Sequence, residues 1–366
     1  MTRTAFKDLT LREGQQVPGL EITEEGGKAV LDALADLEVG CVEVAFPRAR
    51  ERESWFRHAD ELGLRTAALA RAVPADVDAA LAVDPDEVEV IVTASDIHLE
   101  HALGKSREEA LDLLRDNLGR ALDGADAGAT LMDAIRADND FLQRGARLIE
   151  EVGGKHVTLA DTTGSGTPED VRETVAAVRE AIDIDIAVHT HDDLGVAAAN
   201  SIAGVDGGAD SVDATIGGVG ERVGNAPLEE VAVLLRQRGD TPELATGELV
   251  PACYRVYDAL DVPVPEEKPV LGSLAYRHES GMHTAAMLKD PATYEPFDPA
   301  DYGGKRQLLF GAGTGRGAAR ELLREAGREV TDEAVAAALD AIADRAESKG
   351  EPLTRDEAVN VVAALD

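Results

Sequence analysis

Two histidines one residue apart, His189 and His191, close a mostly apolar run from Ile184 to Val188 and are followed by Asp192 and Asp193. If that run is a strand, its period of two puts both imidazoles on one face and Thr190 on the other. Two ring nitrogens then converge on one point. This suits a metal ion, because imidazole is the commonest metal ligand and a strand holds the pair with little freedom left to lose. By itself the pair reads equally well as two strand-end histidines satisfied by hydrogen bonds. The choice depends on whether the chain brings further ligands to the same place.

The elements that would have to do so alternate along the chain. From Thr4 to about Arg236, short β-rich runs are separated by longer stretches of helical period. The strand candidates are Ala5 to Leu9, Cys41 to Phe46, Arg65 to Ala70, Val88 to Thr93, Ala129 to Asp133, His156 to Ala160, Ile184 to His189 and Asp210 to Ala214. Between them lie amphipathic stretches such as Glu24 to Leu37, Arg107 to Leu122, Pro168 to Ala181 and Leu194 to Val205, with Thr23, Ser106 and Thr167 in N-cap positions. Eight strand-helix units of this length predict an α/β fold of the (β/α)8 TIM-barrel type rather than an open doubly wound sheet.

In such barrels the functional groups gather at the C-terminal ends of the strands. The polar residues at those ends are Asp8, Arg12, Glu13 and Gln16 around the first strand, Glu43 on the second, Arg71 after the third, and Ser95 with His98 after the fourth. Asp161 and Thr162 follow the sixth, His189 and His191 close the seventh, and Gly220-Glu221-Arg222 with Asn225 follow the eighth. Glu13 can add a carboxylate oxygen and Asn225 a carbonyl oxygen to the two imidazoles. That mixed nitrogen and oxygen set suits Mg, Mn or Zn acting as a Lewis acid on a carbonyl. Arg12 suits an oxyanion or a carboxylate, and Glu43 and Thr162 suit further polar groups of a small organic acid. His58, His101 and His156 read as surface or packing residues.

Composition narrows the partners. The net charge is −35, with Lys at 8 and Arg at 28, and the acidic residues are scattered over the helical segments. Such an acidic skin is expected of a protein from a salt-loving microbe, where counterions screen self-repulsion. No basic patch offers a nucleic-acid surface. No run of ~18 apolar residues predicts a membrane span, and the start, with no charged-then-apolar leader, predicts a cytoplasmic protein. Cys41 and Cys253 form no metal or redox motif and read as buried thiols.

Beyond Arg238 the alternation stops and prolines cluster at Pro263, Pro265 and Pro269. The expected organisation is a catalytic barrel over 1–240 and, over 241–366, a linker, a lid and helices at Ala318 to Ala326, Thr331 to Ala346 and Thr354 to Ala364, without the strands of a further α/β domain. The stretch HESGMH (278–283), two histidines beside glycine in a polar setting, reads as part of a lid over the barrel mouth. A dimerisation arm is compatible with that reading.

Taken in order, DLTLREGQQ, AFP, ALARA, ADTTG, HTHDDLG, GVGERVGNAPLE and HESGMH resemble the acyltransferase branch of the DRE-TIM metallolyases, the homocitrate, 2-isopropylmalate and citramalate synthases. The resemblance spans roughly residues 8 to 283. It implies a TIM barrel with a helical C-terminal extension exchanged across a homodimer, and condensation of acetyl-CoA, as co-substrate, with a 2-oxo acid. Carried over by position, Glu13, His189, His191 and Asn225 would bind the metal. Arg12 would face the keto oxygen and Thr162 the carboxylate, with Gln16, Glu43 and Arg71 as further substrate contacts. His283, Tyr294 and Glu221 would complete the catalytic set, the first two acting on the acetyl methyl group. The tail resembles that of the short homocitrate synthases, which use 2-oxoglutarate, and no C-terminal allosteric domain is expected.

The chain also departs from the family pattern. TLMDAIR has Met132 where a Glu of a Glu-Asp pair is usual, ALARA lacks a histidine, and GAGTGR stands for GKHSGR. These changes leave the metal set intact and fall where the 2-oxo acid is selected. Alternatives to the synthase reading are a carbon-carbon lyase or aldolase of the same superfamily, and a non-catalytic paralogue that binds a metabolite.

Overall fold

The computed structural model describes residues 3–46 and 49–365, so Pro47 of the AFP motif lies outside the described residues. Eight parallel strands follow one another in sequence order: β1 (Arg3–Asp8), β2 (Cys41–Ala45), β3 (Thr66–Arg71), β4 (Glu87–Thr93), β5 (Asp126–Met132), β6 (His156–Asp161), β7 (Asp185–Thr190) and β8 (Ser211–Ala214). β1 pairs with β8 at Phe6 and Val212 and with β2 at Asp8 and Val42, which closes the sheet. The result is a (β/α)8 TIM barrel followed by a mostly helical C-terminal region.

Local chemistry accounts for most of the boundaries. Thr23, Ser106 and Thr167 each accept a hydrogen bond from the third helical amide of the helices Glu24–Asp36, Arg107–Leu122 and Pro168–Arg179. Ser106 and Thr167 do so in reciprocal capping boxes with Glu109 and Asp170. The strands are covered on the outer face by helices, so β2 is buried along its whole length and β4 nearly so.

Below the mouth, the barrel interior holds a charged cluster. Lys7 donates from Nζ to Glu87 at 2.8 Å and to Glu89 at 2.9 Å, and His156 Nε2 lies 2.6 Å from Glu89. Burial, which by itself lowers the Lys7 pKa, is outweighed by Glu87 and Glu89, so the ammonium is held well above its ordinary value. His156 is thus a packing histidine with a charged role. It fits because β5 has Gly128 beside it, where a Cβ would lie 2.1 Å from the ring.

Asp8 is a second buried acid. It accepts from the Thr10 amide at 2.9 Å and the Thr10 hydroxyl at 2.8 Å, while Thr10 Oγ1 accepts from the Ile216 amide at 2.8 Å. Burial, opposed by the two Thr10 bonds, pushes its pKa up to about 7. The folded value lies above the unfolded one, so the stability tied to the neutral form is complete below about pH 4 and is lost as pH rises through 7. Denaturation at pH 5 and pH 8 should therefore show Asp8→Asn gaining about 2–3 kcal/mol on the parent across that interval. Parallel pH curves for the two proteins would remove Asp8 from this role.

The chain divides into two compact units after Pro263. Thr241 and Pro242 pair in parallel with Arg3 and Thr4, and Arg255 on the helix Leu249–Ala259 bridges Asp36 at 2.6 Å, so the stretch beyond 240 stays with the barrel. The second unit, Val264–Asp366, has its own core of Phe310, Leu322, Val335, Ile342, Leu353 and Val362 beneath the helices Arg316–Glu325, Asp332–Lys349 and Arg355–Ala363. It also contains a small sheet that the sequence pattern did not reveal, made of Arg277–His278, Gln307–Phe310 and Leu353–Thr354. Strands this short carry no legible alternation. Both cysteines are buried, and neither forms a disulfide.

Candidate active site

The turn after β1 runs directly into a five-residue helix, Thr10–Gly14, every residue of which is buried. It delivers Arg12 and Glu13 to the mouth side by side. Arg12 donates from Nη1 to Glu13 and from Nε to Glu43 of β2, the latter at 2.5 Å. One guanidinium thus ties two buried carboxylates, and their charge holds it protonated against the cost of burial. The carboxylates respond differently. Burial alone would raise both, but Arg12 with the two histidines brings Glu13 below its ordinary value, whereas burial prevails at Glu43 and pushes it up.

β7 and the residue that follows it present His189 and His191 on the inner face, their ring centroids 4.9 Å apart, while Thr190 turns outward to the carbonyl of Ala197 and the hydroxyl of Ser201. Ligand atoms of Glu13, His189 and His191 lie within 4.8 Å of one another. His191 Nδ1 lies 3.0 Å from the Asp161 carbonyl, which orients the ring by having Nδ1 donate and leaves Nε2 as a lone pair. Burial, with His189 adding to it, pushes the His191 pKa down to about 4, so its imidazole is neutral at neutral pH.

Asn225 reaches the same place through the loop after β8. Its amide donates to the Gly218 carbonyl at 3.0 Å, and it bridges His191 in an antiparallel pair. Gly224, at φ 102°, makes this return possible, since a Cβ there would meet the Gly218 oxygen at 1.9 Å. Asn225 Nδ2 lies 3.2 Å from His189 Nε2. Two buried oxygens at this point, Glu13 Oε2 and Asn225 Oδ1, have no hydrogen-bond partner. An amide rotation turns the latter toward the histidines. Orphaned oxygens beside two buried imidazoles, that of His191 with Nε2 left as a lone pair, are the donor set that a divalent cation satisfies, so the residues fit such an ion.

Arg12, Glu13, Glu43, His189 and His191 open on a cavity of about 200 Å³, lined also by Gln16, Thr162 and Glu221. Thr162 Oγ1 accepts from the amide of Asp133, whose carboxylate receives the Ser95 hydroxyl and both arms of Arg136. Ser95 and Arg136 therefore support the loop that positions Thr162, and His98 lies 3.7 Å from the same carboxylate. Arg71 is elsewhere: at the end of β3 its exposed guanidinium turns to Asp76 on the next helix, at 2.5 Å, and does not line the cavity. His283 and Tyr294 belong to the second unit, where their rings stack at 3.8 Å with 24° between the planes.

Sequence reasoning missed Asp213 and, apart from Met132, the apolar wall. Asp213 lines the cavity with a carboxylate oxygen 3.5 Å from His189 Nδ1. An acid between Val212 and Ala214, inside β8, was the available signal. Phe46, Leu69, Ile91, Met132 and Ala160 form the wall, and nothing in their types separates them from core residues.

Comparison with known proteins matches residues 3–255 to the HMGL-like family and residues 270–350 to the homocitrate synthase post-HMGL domain-like family. Homocitrate synthase AksA of Methanopyrus kandleri is 41% identical over 316 residues, covering 85% of this chain and 80% of that protein. A probable 2-isopropylmalate synthase of the same organism is 38% identical over 326 residues, covering 88% of this chain, which spans only 65% of that relative. Among solved structures, the HMG-CoA lyase of Brucella melitensis superposes with a TM-score of 0.63 at 22% identity, over 71% of this chain and 100% of its own. The hydroxymethylglutaryl-CoA lyase of Pseudomonas aeruginosa gives 0.63 at 23%, over 72% and 94%. These two share the fold.

Proposed function

Because this chain belongs to the HMGL-like family, with homocitrate and 2-isopropylmalate synthases among its relatives, we propose a division of labour at the barrel mouth for the reaction those enzymes share. The chain is an acyltransferase of the type that turns an acyl group into an alkyl group on transfer: it condenses acetyl-CoA with a 2-oxo acid and releases CoA.

Glu13, His189, His191 and Asn225 would hold a divalent ion, Mg, Mn or Zn, which would supply Lewis-acid polarisation of the keto carbonyl of the 2-oxo acid. Arg12 points its guanidinium at the same oxygen and stabilises the charge that grows there as the new carbon-carbon bond forms. Thr162 donates to the substrate carboxylate, and Gln16 and Glu43 border it. The methyl group of a thioester is a weak carbon acid, so a positioned base is required. His283, oriented by its stack on Tyr294, takes that proton, and the carbon left behind attacks the keto carbon. Glu221, on the loop after β8, serves acid-base exchange when water cleaves the thioester and CoA leaves as the thiol. A homodimer with exchanged C-terminal regions, working in the cytoplasm, belongs to the same proposal. Among the described residues no helix is long and apolar enough to cross a membrane.

The observation that carries this reading is the meeting, in one cavity, of Arg12 with the convergent set Glu13, His189 and His191. Thiol release from acetyl-CoA, measured with pyruvate, 2-oxoisovalerate and 2-oxoglutarate under divalent metal and high salt, tests it. Release is expected only when a 2-oxo acid and the metal are both present. Metal binding without release for any acid would favour the metabolite-binding alternative. Cleavage of a hydroxyacyl-CoA in place of condensation would favour the lyase.

A further inference from the structure

We propose that the 2-oxo acid this site takes has a short hydrocarbon side chain, of methyl to isopropyl size, and that Met132 is a specificity-determining residue. The inference rests on the acyltransferase reading above and concerns only the distal end of the substrate.

The argument begins with the order of strands around the barrel. The groups that would hold the metal and the keto oxygen come from the β7, β8 and β1 side, and Thr162, for the carboxylate, follows the adjacent β6. In a closed ring of eight strands taken in order, β3, β4 and β5 lie across from β7, β8 and β1. A 2-oxo acid held at the polar side therefore directs its side chain at β3 to β5. The cavity residues there are Leu69, Ile91, Thr130 and Met132. Thr130 is polar in name only, since its hydroxyl donates to Glu89 behind the wall at 2.6 Å.

Charge leads to the same conclusion. Arg12 is the only Lys or Arg among the described residues lining the cavity, and it is committed to Glu13 and Glu43. Glu13, Glu43, Asp213 and Glu221 all line the same space. A second carboxylate at the end of the substrate would lose its hydration against an apolar wall with no cation or free donor to replace it, while adding repulsion. Arg71 does not supply that cation, because it is exposed and paired with Asp76. A hydrocarbon end gains from the same wall at about 0.8 kcal/mol per buried methylene.

The size limit follows from the cavity, about 200 Å³, which must also admit the acetyl group. Met132 at the end of β5 is half-buried and lines the cavity. An unbranched thioether also adapts to side chains of slightly different shape.

The test compares kcat/KM for pyruvate, 2-oxobutanoate, 2-oxoisovalerate and 2-oxoglutarate, with calorimetric titration of each acid alone. The best hydrocarbon acid is expected to exceed 2-oxoglutarate by ~10²-fold or more, the scale on which a buried unpaired group discriminates. Met132→Lys, whose ammonium can emerge at the strand end, is expected to shift the ratio toward 2-oxoglutarate by at least ~10-fold. Equal or better turnover of 2-oxoglutarate by the parent protein would overturn the inference and leave the acyltransferase reading standing. Absence of CoA release with every acid would overturn that reading and the inference with it. An unchanged ratio in Met132→Lys would overturn the assignment of Met132.

Discussion

His191→Ala is expected to leave the barrel folded, to lose bound divalent metal during gel filtration, and to reduce CoA release by ~10³-fold or more. The imidazole is the ligand whose state is most completely determined by its surroundings. The Asp161 carbonyl engages Nδ1 at 3.0 Å, so Nε2 is the free nitrogen, and burial keeps the ring neutral. Alanine removes that nitrogen and leaves Glu13, His189 and Asn225, too few ligands to compete with water for the ion. Loss of Lewis-acid assistance worth several kcal/mol converts to that factor in rate. Folding should be little affected, because His191 lines a cavity and is not wedged into the core. Metal content by mass spectrometry, thiol release and the melting temperature should be read on one sample. An active variant with a full complement of metal would remove His191 from the metal site.

Arg12→Gln is expected to damage both turnover and stability, and the two losses can be separated. In the parent, one guanidinium pairs with Glu13 and Glu43 at once. Removing one partner of a buried ion pair leaves uncompensated charge, at a cost of about 3–5 kcal/mol. Glu43, already pushed up by burial, is then the carboxyl that takes a proton, so the destabilisation should grow with pH. Adding Glu43→Gln should return much of the stability. It should return none of the turnover, which falls by ~10²–10³-fold through loss of the oxyanion donor. Arg12→Lys should restore charge without the planar fork that spans two carboxylates, and should recover stability better than rate. If the double variant regains activity, Arg12 acts through Glu43 and not on the substrate.

Much of the scaffold was legible because its signals are local. The caps at Thr23, Ser106 and Thr167 depend on residues three positions away, and the alternation of strand and helix depends on runs of four to sixteen residues. The histidines on β7 fall on one face because they are two apart. Glu13 and Asn225 could be linked to them in advance because the barrel pattern assigns every strand end to one mouth. The short strands of the second unit carried no such signal, and neither did Asp213, whose importance lies in its distance to His189.

By itself the sequence determined which chemical groups stand at the ends of the strands and that those strands form a barrel, because period and capping are properties of neighbouring residues. Tertiary structure alone decided what each group pairs with. It turned Arg71 outward to Asp76, spent Thr130 on Glu89, tied Arg12 to Glu43, and joined Lys7, Glu87, Glu89 and His156 from three strands into one buried cluster. The physical reason is closure: β1 meets β8 across more than 200 residues, and Thr10 bonds to Ile216. No local pattern encodes which side chains such closure places face to face.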